Sequence, residues 1–273
     1  MISILFNYSN SFAYDCEVDG IYYNRLSSNE VEVTHNREYN DWGYGGKCYQ
    51  GDIIIPKEIS YAGKKFSVTQ IGKFAFRSCE YMKSISLPKT IKRIEEHAFE
   101  GCKFTSFTVP QSLVYCGESA FNMITLESIY INSIEQWLCI EDDGHTGKSL
   151  PHGKDYYVNE KIINELIIPK GTKEIPNRRF EDWSNIKSVK IPDGVTYIGF
   201  WAFLGCINLE KIEIPNSVKE IGEMAFGSSK IKTIKLPNQL KKLECLGSCK
   251  NLVDITIPEN VSTIGHHAFN GCI

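Results

Sequence analysis

The chain has 273 residues, is 42% hydrophobic and 23% charged, and carries a formal net charge of −3. This composition can support a large folded core, and it lacks the basic runs of a nucleic-acid binder. No apolar run is long enough to cross a membrane as a helix.

The opening, MISILFNYSNSFAYDC, has a short apolar patch at residues 4–6 with no Lys or Arg before it. It reads as no export signal, a trimmed one or a mis-set start codon. Residues 14–18 and 21–26 flank Asp19-Gly20, a strong two-residue turn signal, so they form a hairpin. Residues 31–34 add a third strand, and the glycine-rich stretch 42–46 is a turn-rich link. A repeat stack exposes one raw apolar end that a different element must cover. Residues 1–50 are therefore assigned as an N-terminal β cap.

Residues 51–273 repeat one unit. A short apolar-x-apolar-Pro segment leads to Ile-Gly-x-x-Ala-Phe-x-x-Cys, as at Ile212, Ile214, Pro215, Ile221-Gly222 and Ala225-Phe226. Pro169, Pro192, Pro215, Pro237 and Pro258 recur every 21 to 23 residues, a period of solenoid repeats. Ile212 and Ile214 alternate with Lys211 and Glu213, as in a strand with one buried face. Pro215 ends that strand because it has no N–H to donate. Gly222 is read as allowing a tight turn. Phe76, Phe99, Phe121, Phe203, Phe226 and Phe269 are expected to stack as a ladder, roughly 4.8 Å per coil.

Five of the ten cysteines (Cys79, Cys102, Cys206, Cys249 and Cys272) occupy the last place of the unit. Ile124, Trp183 and Ser229 take that place elsewhere, so it is read as a packing position holding buried reduced thiols. No C-x-x-C pair is present, which argues against zinc.

Two coils depart from the rule. A variant long coil covers about residues 128–168. It holds a strand at 128–132, a short helix with Ser133 as N-cap and Gln136 at the third position, a polar loop at 141–153, and a small hairpin around Asn159-Glu160. The coil at 243–249, LECLGSC, lacks Ala-Phe and should be locally irregular.

These motifs resemble the BspA-like leucine-rich repeat proteins. The mark is present at Ile191-Pro192, Val195, Ile198-Gly199, Ala202-Phe203 and Cys206. EVDGIYYN, VEVT and YAGKKFSVTQIG resemble the family's N-terminal cap, and IYINSIEQWLCI through DYYVNEKIINELIIP resembles a variant repeat of the family. The likeness covers roughly residues 12–273. It implies an α/β repeat fold, a right-handed leucine-rich-repeat solenoid of short parallel strands with turn, 3-10 or short helical segments and an N-terminal β-hairpin cap. It implies a non-enzymatic binding or adhesion module, secreted or at the cell surface. The partner implied is a protein or glycan, of host matrix or of other microbes. The family has no catalytic motif to carry over. The chain stops mid-repeat at Cys272-Ile273, as would a fragment or a protein missing further repeats and an anchor.

The residues add little chemistry. No G-x-S-x-G, P-loop or G-x-G-x-x-G turn is present, and no cofactor is expected. His266-His267 sit at variable surface positions. The loop with Asp142, Asp143, His145, His152 and Asp155 has carboxylates and imidazoles but no recognised ligand spacing, so it reads as solvated. Outward strand positions are mostly small or polar. Tyr130 and Ile167 break that pattern and are either covered as local core by the variant hairpin or exposed as a binding surface, with Trp137 and Trp183 on the same two turns. The candidate partner surface is Tyr130, Ile167, Asp142, Asp143, His145, Lys190, Lys211 and Glu213, on the strand face and the loop 141–153 of one parallel sheet. The chain is expected to be a monomer that binds no nucleic acid and has no membrane span. A structural spacer and a carbohydrate-binding or carbohydrate-active protein are the alternatives.

Overall fold

A computed structural model describes residues 14–35, 48–143 and 148–272. About eight coils stack into a solenoid that is mostly β-strand, with almost no helix. The strands that end at the repeat prolines form one side. Ser106–Thr108, Leu126–Ile131 and Gly153–Val158 pair in parallel, as do Glu165–Ile167, Ser188–Lys190 and Lys211–Glu213. The single parallel sheet expected is an incomplete account, because each Ile-Gly segment builds a second side. There Lys64–Ile71, Arg93–Ile94, Tyr115–Cys116 and Glu141–Asp142 run in parallel, and Glu174–Ile175, Tyr197–Ile198 and Glu220–Ile221 continue the pattern.

The Ala-Phe-x-x-Cys turns form a third side with its own ladder. Arg178, Phe180 and Asp182 donate their N–H to the carbonyls of Phe200, Ala202 and Leu204 at 2.9, 2.8 and 2.8 Å. Trp201, Phe203 and Gly205 do the same to the next coil. The regular turns up to Phe226 bend through two left-handed residues each, for example Trp201 (φ 58°) and Gly205 (φ 73°). A left-handed non-glycine residue costs roughly 1–2 kcal/mol, offset here by the ladder bonds. Gly222 is not among the residues with positive φ, so the tight-turn reading is corrected. A Cβ on Gly222 would lie 2.3 Å from the Phe200 nitrogen, and on Gly199 it would lie 2.5 Å from the Asn177 nitrogen. The glycine is needed because neighbouring coils touch there through their backbones.

The rings pack one on another within two runs, and Phe269, expected in the ladder, belongs to neither. Centroids are 5.3 Å apart for Phe76 and Phe99 and 5.3 Å for Phe99 and Phe121. They are 5.2 Å apart for Phe180 and Phe203 and 5.8 Å for Phe203 and Phe226. Phe180 belongs to the ladder although its turn, RRFEDW, lacks the alanine. Between the runs the long coil fills the core with Trp137, Tyr156 and Trp183, Tyr156 stacking on Trp183 at 4.0 Å. Both tryptophans are thus core residues, 2% and 1% exposed. The short coil is irregular where expected. Met224, Phe226 and Ser228 donate to Glu244, Cys245 and Gly247, one residue fewer than a regular turn spans. Leu246 occupies the place of the missing ring.

The ladder cysteines are hydrogen-bond donors as well as packing groups. Sγ of Cys102, Cys206, Cys249 and Cys272 points to the carbonyls of Phe76, Phe180, Phe226 and Leu246 in the preceding coil at 3.0–3.2 Å. Cys79 departs from the expectation of a free thiol, being bridged to Cys48. The physical reason is its position in the first coil. The segment before it supplies Tyr49, whose ring packs tilted against Phe76 at 4.8 Å, and beside it Cys48, close enough to bridge. At this end Cys16–Val18 and Ile21–Arg25 form a hairpin through Asp19 (φ 51°) and Gly20 (φ 77°). Glu30–Thr34 pairs with that hairpin and, in parallel, with Lys64–Ile71. The glycine-rich link 42–46 lies outside the described residues.

Arg179 ties the long coil to the next one. It is 3% exposed, and its guanidinium donates to the carbonyls of Trp137 and Ile140 at 2.7 and 2.8 Å and to Asp142 at 2.9 Å. It thereby caps the C-terminal end of the helix Ile134–Cys139, whose N-terminal end Ser133 caps through the Gln136 N–H. Next to it, His152 Nδ1 lies 2.7 Å from the Leu150 carbonyl and Nε2 3.9 Å from Glu181. Burial lowers His152 to about 4 and raises Glu181.

Three outcomes are expected. Phe203→Ala leaves a cavity in a rigid stack and should cost about 3–5 kcal/mol; an unchanged thermal melt would refute the ladder. Alkylation of the denatured, unreduced chain should label Cys102, Cys116, Cys206, Cys245 and Cys249 and recover Cys48 joined to Cys79 by mass spectrometry. For pH, the unfolded chain protonates His152 below its ordinary 6.5 while the folded chain resists to about 4. The unfolded state binds more protons in that window, so stability falls as pH falls through it. Glu181 acts in the opposite sense and reduces the net loss. Between pH 7 and 4.5 the wild type should lose about 2 kcal/mol more than His152→Gln in urea unfolding; equal losses would refute the assignment.

Candidate binding surface

The strand side is a frame of short strands whose inward residues are locked in the core. Ile129, Tyr156, Leu166, Val189 and Ile212 are all buried, which forces their neighbours outward. The outward row at the long coil reads Thr108, Tyr130, Tyr157 and Ile162, each opposite the next in register. Tyr130 and Tyr157 stack with centroids 4.9 Å apart. Ile162 and Ile167 are 45% and 58% exposed. Ile167 is therefore not covered as local core, and Tyr130 is half-buried against Tyr157.

Tyr130 and Ile167 are separated by the strand Gly153–Val158 and its short antiparallel partner Lys161–Ile162. The residue between them, Tyr157, lies on one arm of the hairpin expected around Asn159-Glu160, which also pairs in parallel with the Tyr130 strand. Beside Tyr130 lies an open depression of about 510 Å³ lined by Thr108, Tyr130, Ile131, Asn132, Asn159 and Glu160. The Asn132 amide nitrogen is held by the Val109 carbonyl and by Gln136, both at 3.0 Å. Asn159 (φ 49°) and Glu160 (φ 63°) are the two left-handed residues of the hairpin turn. Ile54, 71% exposed on the strand Gly51–Ile54, is a second apolar departure on this side.

The charged candidates divide between two sides. Lys190 pairs with Glu165 at 2.8 Å and Lys211 with Glu213 at 3.4 Å on the strand side. The Glu165 hydrogen bond raises Lys190. Such exposed pairs contribute little to stability and leave their groups available to a partner. Asp142 is corrected as a candidate: it is engaged by the buried Arg179, so its charge serves the fold. Asp143 is exposed on the second side, where the Tyr115 hydroxyl donates to it. That bond raises Tyr115 to about 12, and the Arg93 guanidinium lies 3.8 Å over the Tyr115 ring. The strand face and the loop 141–153 therefore do not form one surface, since the strand Glu141–Asp142 pairs with Tyr115–Cys116. His145 lies outside the described residues. His152 is held by the Leu150 carbonyl, and His266 and His267 are exposed. Among the described residues no group of three or more His, Cys, Asp or Glu could hold a metal ion, and no helix is long and apolar enough to cross a membrane.

The model of the BspA type leucine rich repeat region matches residues 51–139 and 153–273, in six copies. Similar solved structures include a leucine rich cell surface protein from Faecalibacterium prausnitzii A2-165, 17% identical, covering 94% of this chain and 92% of that one with a TM-score of 0.44. The pneumococcal vaccine antigen PcpA is 17% identical over 92% of this chain and 94% of its own, TM-score 0.39. A leucine-rich repeat protein from Bacteroides ovatus ATCC 8483 is 21% identical over 95% and 93%, TM-score 0.35. No curated protein matches the chain. On the repeat motif and the six matched copies that span most of its length, the chain belongs to the BspA-type leucine-rich repeat family.

Proposed function

We propose that this chain is a non-catalytic binding module that acts outside the cell, engaging a protein or glycan through its strand side around the long coil. The observation that carries the reading is the row of Tyr130, Tyr157 and Ile162, with Ile167 beyond it, on a side whose other outward groups, Ile54 apart, are small or charged. Aromatic and aliphatic groups held on a rigid frame lose little entropy on binding and act as anchors. The paired Lys190, Lys211 and Glu213 form the polar rim beside them. Residues 1–50 act as the cap of the stack. An extracellular setting is supported by the family and by the Cys48–Cys79 bridge, which an oxidising compartment permits.

Binding of the full chain to immobilised extracellular-matrix proteins and to glycan arrays should identify a partner. Tyr130→Ala combined with Ile167→Ser should weaken that binding at least about tenfold, while Asp254→Ala, further along the same side, should not. Equal binding by the double variant would move the site elsewhere. No binding on either panel would favour a structural spacer.

A further inference from the structure

We infer that the bay beside Tyr130 is a stacking site for one neutral pyranose ring of a glycan, which deepens and rests on the strand-side reading above. The bay follows from the register. Tyr130 has a tyrosine on one side and Thr108 on the other. Tyr157 stacks on one face of its ring with centroids 4.9 Å apart. On the other side Thr108 is too small to cover the second face, and the strand beyond presents Ser84 and Ser86. The result is an aromatic wall beside a low polar floor, in an open depression of about 510 Å³, within the roughly 300–1,000 Å³ of small-ligand sites.

The shape and polarity fit a sugar ring better than a side chain of a protein partner. A pyranose has one face of C–H groups, which suits the electron-rich face of an aromatic ring, and an edge of hydroxyls that need both donors and acceptors. Asn132, Asn159 and Glu160 supply these at the mouth of the bay. Asn132 is fixed through its amide nitrogen, and the other two sit on a tight two-residue turn. An apolar anchor from a protein would instead leave these polar groups unpaired when buried, which is costly. The lining contains no Lys or Arg and one carboxylate, so an acidic sugar is disfavoured and a neutral hexose is selected.

The test uses the full chain and neutral tetraoses of β-1,4-linked glucose, mannose and galactose, read by saturation-transfer NMR and by titration. At least one should bind saturably, with transfer strongest to the ring C–H protons. Tyr130→Phe should stay within about twofold and Tyr130→Ala should lose at least tenfold. Thr108→Trp, which fills the bay at an exposed strand position that suits an aromatic residue, should abolish binding while its thermal melt stays near wild type. Binding that survives a folded Thr108→Trp overturns the inference, as does absence of transfer to all three tetraoses. If the chain binds no tetraose yet binds a matrix protein in a manner sensitive to Ile167→Ser, the sugar inference falls and the strand-side reading stands. If Thr108→Trp unfolds, retained tetraose binding by Tyr130→Ala overturns the inference, and a tenfold loss supports it.

Discussion

The distance between neighbouring coils is the constraint on which the structure depends. It is set by backbone hydrogen bonds on each side of the solenoid, including the turn ladder from Arg178, Phe180 and Asp182 to Phe200, Ala202 and Leu204. At the Ile-Gly positions the backbones approach so closely that no Cβ fits: a methyl group on Gly222 would meet the nitrogen of Phe200 at 2.3 Å. The same spacing brings the Phe rings to 5.2–5.8 Å centroid separation in the run from Phe180 to Phe226. It also puts Cys102, Cys206, Cys249 and Cys272 within reach of the carbonyl one coil back. Residue choice at the motif positions is thus a consequence of one repeated translation.

Much of this was readable in the residues because their periodicity carries it. The alternation of Ile212 and Ile214 with Lys211 and Glu213, the stop at Pro215 and the Ser133 cap of the helix each follow from local rules with a short range. What local rules missed was the relation between coils. Gly222 looked like a turn glycine because sequence shows the residue and not the backbone opposite it. Cys79 looked like its copies, but only in the first coil is there no regular preceding turn to receive its thiol, and Cys48 stands there instead. Phe180 was hidden by a turn without alanine. The charge of Asp142 looked available because its partner, Arg179, lies 37 residues further along.

The candidate surface was legible in part for the same reason. Tyr130 and Ile167 stand out in a list of outward positions, since each breaks a simple pattern. Their separation does not, because it depends on the extra strand Gly153–Val158 being inserted into the side rather than folded away from it. That insertion creates both the stacked tyrosine pair and the bay. It also splits the polar loop 141–153 between two sides, which a linear reading treats as one surface.

The long coil has a mechanical consequence as well. In a solenoid each coil is held chiefly by its immediate neighbours, so tension along the axis is resisted one interface at a time. The two Phe runs, 76 to 121 and 180 to 226, are spliced by Trp137, Tyr156 and Trp183 and fastened by Arg179, which reaches from the later coil to the helix carbonyls and Asp142 of the earlier one. A tether under pull would shed regular coils singly and stall at this rivet. The surface with the stacked tyrosines and Ile167 is borne by the part of the rod fastened in this way.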